Sequence, residues 1–238
     1  MNFSREDKIR KDVTEFYNNV AWHFSQTRRN WWVGLDFFEK YIKSKDRVLD
    51  FGCGNGRFLE FVYQKDLKIN YRGVDVSEEL INLAKEKYKK ESFSLIENEQ
   101  NLPFKKSEFD VVVSIAVFHH FNSFMAEKSL KEIKRVLKKD GIVIITAWYL
   151  WNGKRVSYLI KSLLKNLLKL NFEWSANLPF SYSDKNKGQK TYWRTCYWWT
   201  KRGLEKVARK NNFTILESGY SRDDGDNRRN IYLVLKKS

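Results

Sequence analysis

The chain has 238 residues, with 45 Lys+Arg against 29 Asp+Glu and a formal net charge of +16. At 42% hydrophobic and 31% charged residues the composition is globular rather than disordered, and the length suits one domain of roughly 150–250 residues. Two cysteines exclude a disulfide framework and fit a reducing compartment. The opening MNFSREDKIRK has no apolar stretch of the secretory kind. The longest apolar runs, near 111–117 and 142–151, fall short of the roughly 20 residues of a membrane span. A cytoplasmic protein without a membrane span is the expectation.

Ser4, followed three residues later by Asp7, caps a helix through residue 18 that is apolar at Ile9, Val13, Phe16 and Tyr17. Residues 23–32 (HFSQTRRNWW) show neither helical nor strand period, and a second helix is expected over 33–42. Strands and helices then alternate: strand 47–51, helix 57–63, strand 71–74, helix 78–90, strands 93–96 and 111–115, helix 124–137 and strand 142–147. Short apolar strands between helices mark a parallel sheet covered on both faces, an α/β fold. Residues 149–200 break the alternation. There Val156, Leu159, Ile160, Leu163, Leu164, Leu167 and Leu168 recur at helical spacing opposite Lys161, Lys165 and Lys169. Such a helix docks as a lid or lies on a membrane surface. A helix over 201–211 and strands over 213–218 and 230–235 close the chain, with an Asp- and Arg-rich turn at 221–229. The whole reads as one domain: a helical cap (1–45), a core (46–148), a basic and aromatic insertion (149–200), and a closing helix and hairpin (201–238).

The sharpest motif is VLDFGCGNGR at 48–57. A buried strand runs into Gly52, Gly54 and Gly56, and a helix follows. Glycines there let the backbone turn tightly and approach a ligand near the positive end of that helix. The spacing is G-x-G-x-G, not the G-x-G-x-x-G of nicotinamide-binding folds. Asp75, at the end of the second strand, is placed to accept bonds from both hydroxyls of a ribose. Together with YRGVDVS, NLPF, FDVVVS and LKEIKRVLKKDGIVIITAW, this stretch resembles the class I S-adenosylmethionine (SAM) dependent methyltransferases over residues 48–148. The resemblance implies a Rossmann-like, mostly parallel seven-stranded sheet with helices on both faces and an antiparallel last strand. It also implies that Asp50 and the loop of Gly52, Cys53, Gly54 and Gly56 hold the methionine part of SAM, and that Asp75 and Val76 hold the ribose. Asn98 and Glu99 then lie over the adenine, and Ser114 completes the cofactor site. Asn98 stands where the family often has Asp; its carbonyl can still meet the adenine amino group. Cys53 reads as a small packing residue.

The acceptor belongs at the carboxyl ends of the strands, beside the switch point between the first and fourth. The fourth strand leads into His119 and His120, of which only one can face a given atom from a strand. With no further His, Cys or acidic residue grouped with them, no metal is expected.

The segment FYNNVAWHFSQTRR (16–29), with SIAVFHHF (114–121), resembles the tRNA wobble-uridine carboxymethyl methyltransferases. The implied reaction converts a 5-carboxymethyluridine in the anticodon loop of tRNA into its methyl ester. A carboxylate, with a pKa of about 4, is already a nucleophile at neutral pH and needs no general base. Arg28 and Arg29 are candidates for a two-pronged bond to it, with His119 as a further catalytic donor and His120 beside the substrate. The arginines equally suit a phosphate or a helix cap. Trp148 either stacks on an extruded uracil or packs in the core.

Residues 1–150 carry 26 Lys+Arg and 22 Asp+Glu, a net of +4, and residues 151–238 carry 19 and 7, a net of +12. The basic excess belongs to the part that would hold RNA, with Arg155, Lys187, Lys190, Arg194, Arg202, Arg228 and Arg229 as phosphate contacts. Trp193, Tyr197, Trp198 or Trp199 are stacking platforms or core. Eukaryotic members of the resembled family work with a small zinc-binding activator. Two other functions fit the same residues. One is an O-methyltransferase for a small or lipid-like acceptor, with His119 or His120 deprotonating a hydroxyl; the other is a non-catalytic RNA-binding module.

Overall fold

Helix α1 (Arg5–Gln26) opens on the expected box: Ser4 Oγ accepts from the Asp7 amide at 3.1 Å, while the Asp7 carboxylate accepts from the Ser4 amide. The structure, a computed structural model, describes residues 4–28, 33–151, 153–167, 175–184, 188–222 and 229–238. Arg29, Leu168, Lys169, Lys187 and Arg228, and with Arg228 most of the 221–229 turn, lie outside these. Helix α1 runs eight residues past the expected end. The added turns are packed at their side chains, His23 stacking on Tyr182 and Phe24 meeting Tyr17 edge to face.

 The second expected helix is a tighter 3-10 run, Val33–Tyr41.

In chain order the remaining elements are β1 (Arg47–Phe51), α2 (Phe58–Gln64), β2 (Asn70–Asp75), α3 (Glu78–Lys87), β3 (Ser92–Leu95), β4 (Phe109–Ser114), α4 (Ser123–Val136) and β5 (Leu137–Trp148). They are followed by α5 (Gly153–Leu167), β6 (Ser175–Asp184), β7 (Gly188–Tyr197), α6 (Lys201–Lys210), β8 (Phe213–Arg222) and β9 (Arg229–Lys237). Seven strands form one sheet in the order β3-β2-β1-β4-β5-β9-β8. β9 runs antiparallel to both β5 and β8, and the pairs among β1 to β5 are parallel. The chain order reverses between β1 and β4, so a crevice opens at their carboxyl ends.

Strand alternation sorts the core into two layers. Leu49, Val112 and Val143 face α4 and α6, meeting Met125, Leu130, Ile133 and Leu204. Val48, Val111, Val113 and Ile144 face α2 and α3, meeting Phe58, Phe61, Ile81 and Ala84. Each fully buried side chain of this size contributes about 1.5–3 kcal/mol, so the sheet holds its loops on a rigid frame.

The sequence did not disclose the antiparallel ribbon β6–β7, which forms a second, two-stranded sheet. Helix α5 docks on it: Leu159 is buried with Leu150, Ala176, Leu178, Cys196 and Trp198. Ile160 and Leu164 remain exposed on its outer side. No helix among the described residues is long and apolar enough to cross a membrane.

Candidate active site

The glycine loop after β1 is tied to β2 by backbone bonds, Gly52 and Cys53 both donating to the Val74 carbonyl at 2.8 and 3.0 Å. Gly52 sits at φ +76°, and a Cβ there would collide with Val117. At Gly54 an added Cβ would meet only Leu80, at 3.9 Å, so this glycine keeps the floor of a cleft open. Gly56 is a different case. It does not line the cleft, and its φ of +77° and the Tyr88 ring 2.9 Å from a built Cβ make it a packing glycine.

The cleft, of about 1140 Å³, lies at the carboxyl ends of β1, β2 and β4 under α1. Asp75 lines it with one oxygen accepting from the Gly54 amide at 2.8 Å and the other from the Ser77 amide at 2.9 Å. Each oxygen keeps a lone pair for a diol. Burial raises the Asp75 pKa, and those amides oppose the rise. Asp50 lies deeper, 2% exposed, accepting from the Tyr71 hydroxyl at 2.9 Å. Burial pushes its pKa up to about 7, the Tyr71 bond pulling down and Asp75 adding to the rise. A buried, reluctant carboxylate suits a cationic ammonium group. Val76 and Cys53 also line the cleft, and burial raises the Cys53 thiol well above its ordinary value, in keeping with packing rather than reactivity.

At the adenine end two expectations change. Asn98 is outside the lining, and its Oδ1 accepts from the Gln100 amide at 3.0 Å, so it shapes a local turn instead of reading a base. Glu99 does line the cleft, but Arg10 on α1 holds its two oxygens at 2.9 and 3.2 Å. The pair fastens α1 over the cleft. Asn18 makes a second fastening, accepting from Ser77 Oγ at 2.7 Å. Ser114 is fully buried behind the lining with an unpartnered hydroxyl.

The histidines exchange their expected places. They fall in a 3-10 turn, Phe118–His120, so strand alternation no longer decides which points inward. His120 lines the cleft, whereas His119 lies behind it, wholly buried, stacked on Trp148 at 4.2 Å with neither ring nitrogen bonded. Burial, then His120 and Arg194, hold the His119 pKa well below its ordinary value. His120 Nε2 is 2.9 Å from the Tyr17 hydroxyl, and its Nδ1 is 3.5 Å from the Thr195 carbonyl. Burial and the Arg194 guanidinium push the His120 pKa down to about 3. Tyr17 also accepts from Arg194 Nη1 at 3.3 Å.

Arg28 lines the cleft 4.7 Å from the Phe24 ring. Trp148 lines it too, with His119 on its ring and the Arg194 guanidinium 4.5 Å from its centroid. Arg194 is only 4% exposed and stands behind Tyr17 and Trp148. Arg229 is exposed at the start of β9, beside the end of β5. Tyr197, Trp198 and Trp199 are core residues, while Trp193 is exposed on β7. Cys196 corrects the ground for expecting no metal. Its sulfur and one nitrogen from each of His119 and His120 lie within 4.8 Å of one another.

Sequence reasoning missed Tyr17 and Arg10 as site residues. Their signal was present as Arg10, Val13, Tyr17 and Phe24, spaced along one face of α1, with Arg28 just past its end, all lining the cleft.

The donor set fits SAM: one carboxylate for a ribose diol, one for an ammonium, and an open glycine floor between them. Residues 49–145 match the methyltransferase domain family. Fold, cleft and family match together give this chain a methyltransferase domain with the class I SAM-dependent fold. Among its relatives is an uncharacterized protein of Methanocaldococcus jannaschii, 33% identical over 68% of this chain and 59% of that protein. A tRNA (carboxymethyluridine(34)-5-O)-methyltransferase of Arabidopsis thaliana is 34% identical over 58% of this chain and 33% of that protein. The chain thus spans less than two thirds of these relatives' length. A SAM-dependent methyltransferase of Methanosarcina mazei has the same fold, with a TM-score of 0.67 and 21% identity over 87% of this chain and 98% of that one. So does a Haloferax volcanii structure described as the complex of the Trm112 methyltransferase activator and a methyltransferase, with a TM-score of 0.65 and 16% identity over 94% and 97% of the two chains.

Proposed function

We propose that the enzyme methylates the carboxylate of a carboxymethyl-type wobble uridine in tRNA. One observation carries the choice of acceptor: both ring nitrogens of His120, the histidine at the acceptor end, are engaged, Nε2 with the Tyr17 hydroxyl at 2.9 Å and Nδ1 beside the Thr195 carbonyl at 3.5 Å, and burial with the Arg194 guanidinium pushes its pKa down to about 3. A group that weak as a base does little to deprotonate a hydroxyl or an amine. A carboxylate needs no such help. Bound SAM supplies a methyl group on a sulfonium. A carboxylate oxygen forms the new O–CH3 bond as the S–CH3 bond breaks and its electron pair stays on sulfur. The products are a methyl ester and S-adenosylhomocysteine, and no proton moves. Positioning then supplies much of the rate.

The activity for which the Arabidopsis relative is named supports this reading, as does the +12 carried by residues 151–238. The Haloferax complex supports a small activator protein as partner, and tRNA modification would place the work in the cytoplasm. Exposed Ile160 and Leu164 on α5 are what favours a lipid-like acceptor instead.

The test is tritiated methyl transfer to tRNA carrying 5-carboxymethyluridine, followed by nucleoside mass spectrometry. Label released by mild alkali identifies the ester; alkali-stable label on a base atom overturns the proposal. Binding that falls steeply with salt is the RNA outcome. Binding to vesicles that persists in high salt is the lipid outcome.

A further inference from the structure

Arg194 presents the sharpest unpaid debt in the molecule. Its guanidinium is nearly sealed from water, stacked among Phe16 at 4.8 Å, Tyr17 at 5.8 Å and Trp148 at 4.5 Å. Its Nε–H has no acceptor, and its Nη1 donates to the neutral Tyr17 hydroxyl at 3.3 Å. Among the described residues no carboxylate pairs with it. A buried cation is ordinarily paired, because leaving it unpaired forfeits its hydration without return. Among the described residues the compensating anion is missing.

Two kinds of ligand can be asked to fill this corner. His119, His120 and Cys196 offer three ligand atoms to a metal ion. Against that, Arg194 stands beside Cys196 and Arg155 lies 5.6 Å from the Trp148 ring, and both act on His119 and Cys196. A second positive charge set among these would be repelled, with no carboxylate there to offset it. The field that disfavours a cation favours an anion.

The position fits the methyl acceptor. Tyr17 and Trp148, the two rings against Arg194, both line the cleft, as does His120, which Tyr17 bonds. We propose that Arg194 is the receptor for the acceptor's carboxylate, reached between Tyr17 and Trp148, and that it makes the enzyme selective for an anionic over an isosteric neutral group. A guanidinium can hold one oxygen of a carboxylate while the other attacks. This inference rests on the carboxylate reading above and gives the charge selection to β7. The core that holds SAM contributes Trp148 and His120 to this corner.

The experiment compares wild type with Arg194→Met and Arg194→Lys on two anticodon stem-loops, one bearing 5-carboxymethyluridine and one the neutral 5-carbamoylmethyluridine. S-adenosylhomocysteine affinity, by calorimetry, reports whether the fold and the cofactor site survive. Wild type should bind the carboxymethyl RNA at least about tenfold more tightly than the carbamoylmethyl RNA, the range of a charge-assisted bond. Arg194→Met should abolish that preference and lower kcat/KM by about 100-fold, with S-adenosylhomocysteine affinity within about twofold of wild type. Arg194→Lys keeps the charge but loses the fork, and should retain part of the preference with kcat/KM down about tenfold. If Arg194→Met fails to bind S-adenosylhomocysteine, Arg194→Lys decides. Wild-type turnover and preference in either folded variant overturn the proposal. A wild-type enzyme that binds S-adenosylhomocysteine but esterifies no carboxymethyl RNA overturns the carboxylate reading itself.

Discussion

At the cofactor end of the cleft, backbone amides and two carboxylates from β1, β2 and the loops after them do the holding. At the acceptor end, side chains gather from α1, the turn after β4, and β7, and the charges are cationic. The first set comes from a short stretch of sequence: Asp50, Gly54, Asp75 and Ser77 stand within 28 residues, and Asp75 accepts from the Gly54 and Ser77 amides at 2.8 and 2.9 Å. The second joins Tyr17, His120 and Arg194, with 103 residues between the first two and 177 between the first and last. A nucleoside site can therefore be read from a motif, whereas an acceptor site built by tertiary folding cannot.

The contrast can be broken most forcefully at Asp75. Asp75→Ala should weaken S-adenosylhomocysteine binding by about 100-fold, since two hydroxyl bonds to a charged group are lost. Calorimetry checks this, and an unchanged affinity would detach the ribose from β2. On the opposite side, Arg28→Ala should lower turnover about thirtyfold while S-adenosylhomocysteine affinity stays intact. Steady-state kinetics showing an unchanged rate would remove Arg28 from the acceptor site.

A third expectation concerns pH. Asp50 keeps its proton up to about 7 in the folded protein without ligand, against 3.8 ordinarily. Folding therefore takes up a proton between these values, and the stability of the ligand-free enzyme should decline as pH rises from about 4 to about 7. A cationic ligand must displace that proton, so SAM affinity should rise about tenfold from pH 6 to pH 8. Asp50→Asn should flatten both trends in thermal melts and titrations. The smallest effect belongs to the exposed ring of Trp193. Trp193→Ala should weaken tRNA binding about fivefold at constant salt, with SAM binding unaltered. Equal tRNA affinity would leave that ring without a stacking role.

The parallel core was legible because β1, β4 and the second half of β5 are short apolar runs, and their neighbours are periodic helices. The glycine loop and Asp75 were legible because local backbone geometry dictates residue type. Asn98 misled because an Asx turn and an adenine contact ask for the same side chain. The His119–His120 order misled because the chain leaves strand geometry one turn earlier than alternation assumes. The ribbon β6–β7 stayed hidden because its strands are rich in Ser, Thr and Tyr and lack an apolar face that repeats along their whole length. In β7 alternate positions are the more buried, but Lys190 and Tyr192 are only half-buried and full burial begins at Arg194 and Cys196. Even there, an arginine in a buried position runs against the pattern that makes strands readable.

Helix α1 remains as the roof of the cleft, fastened by Arg10 to Glu99 and by Asn18 to Ser77. One fastening sits near each half of the cofactor site, and Tyr17 on the same helix reaches the acceptor corner. The roof is a single 22-residue rod, so its ends cannot lift independently. Exchange of spent cofactor and, on the proposed function, departure of the methylated RNA would be steps on one mechanical coordinate, and a weakened latch at either place would change the residence time of both.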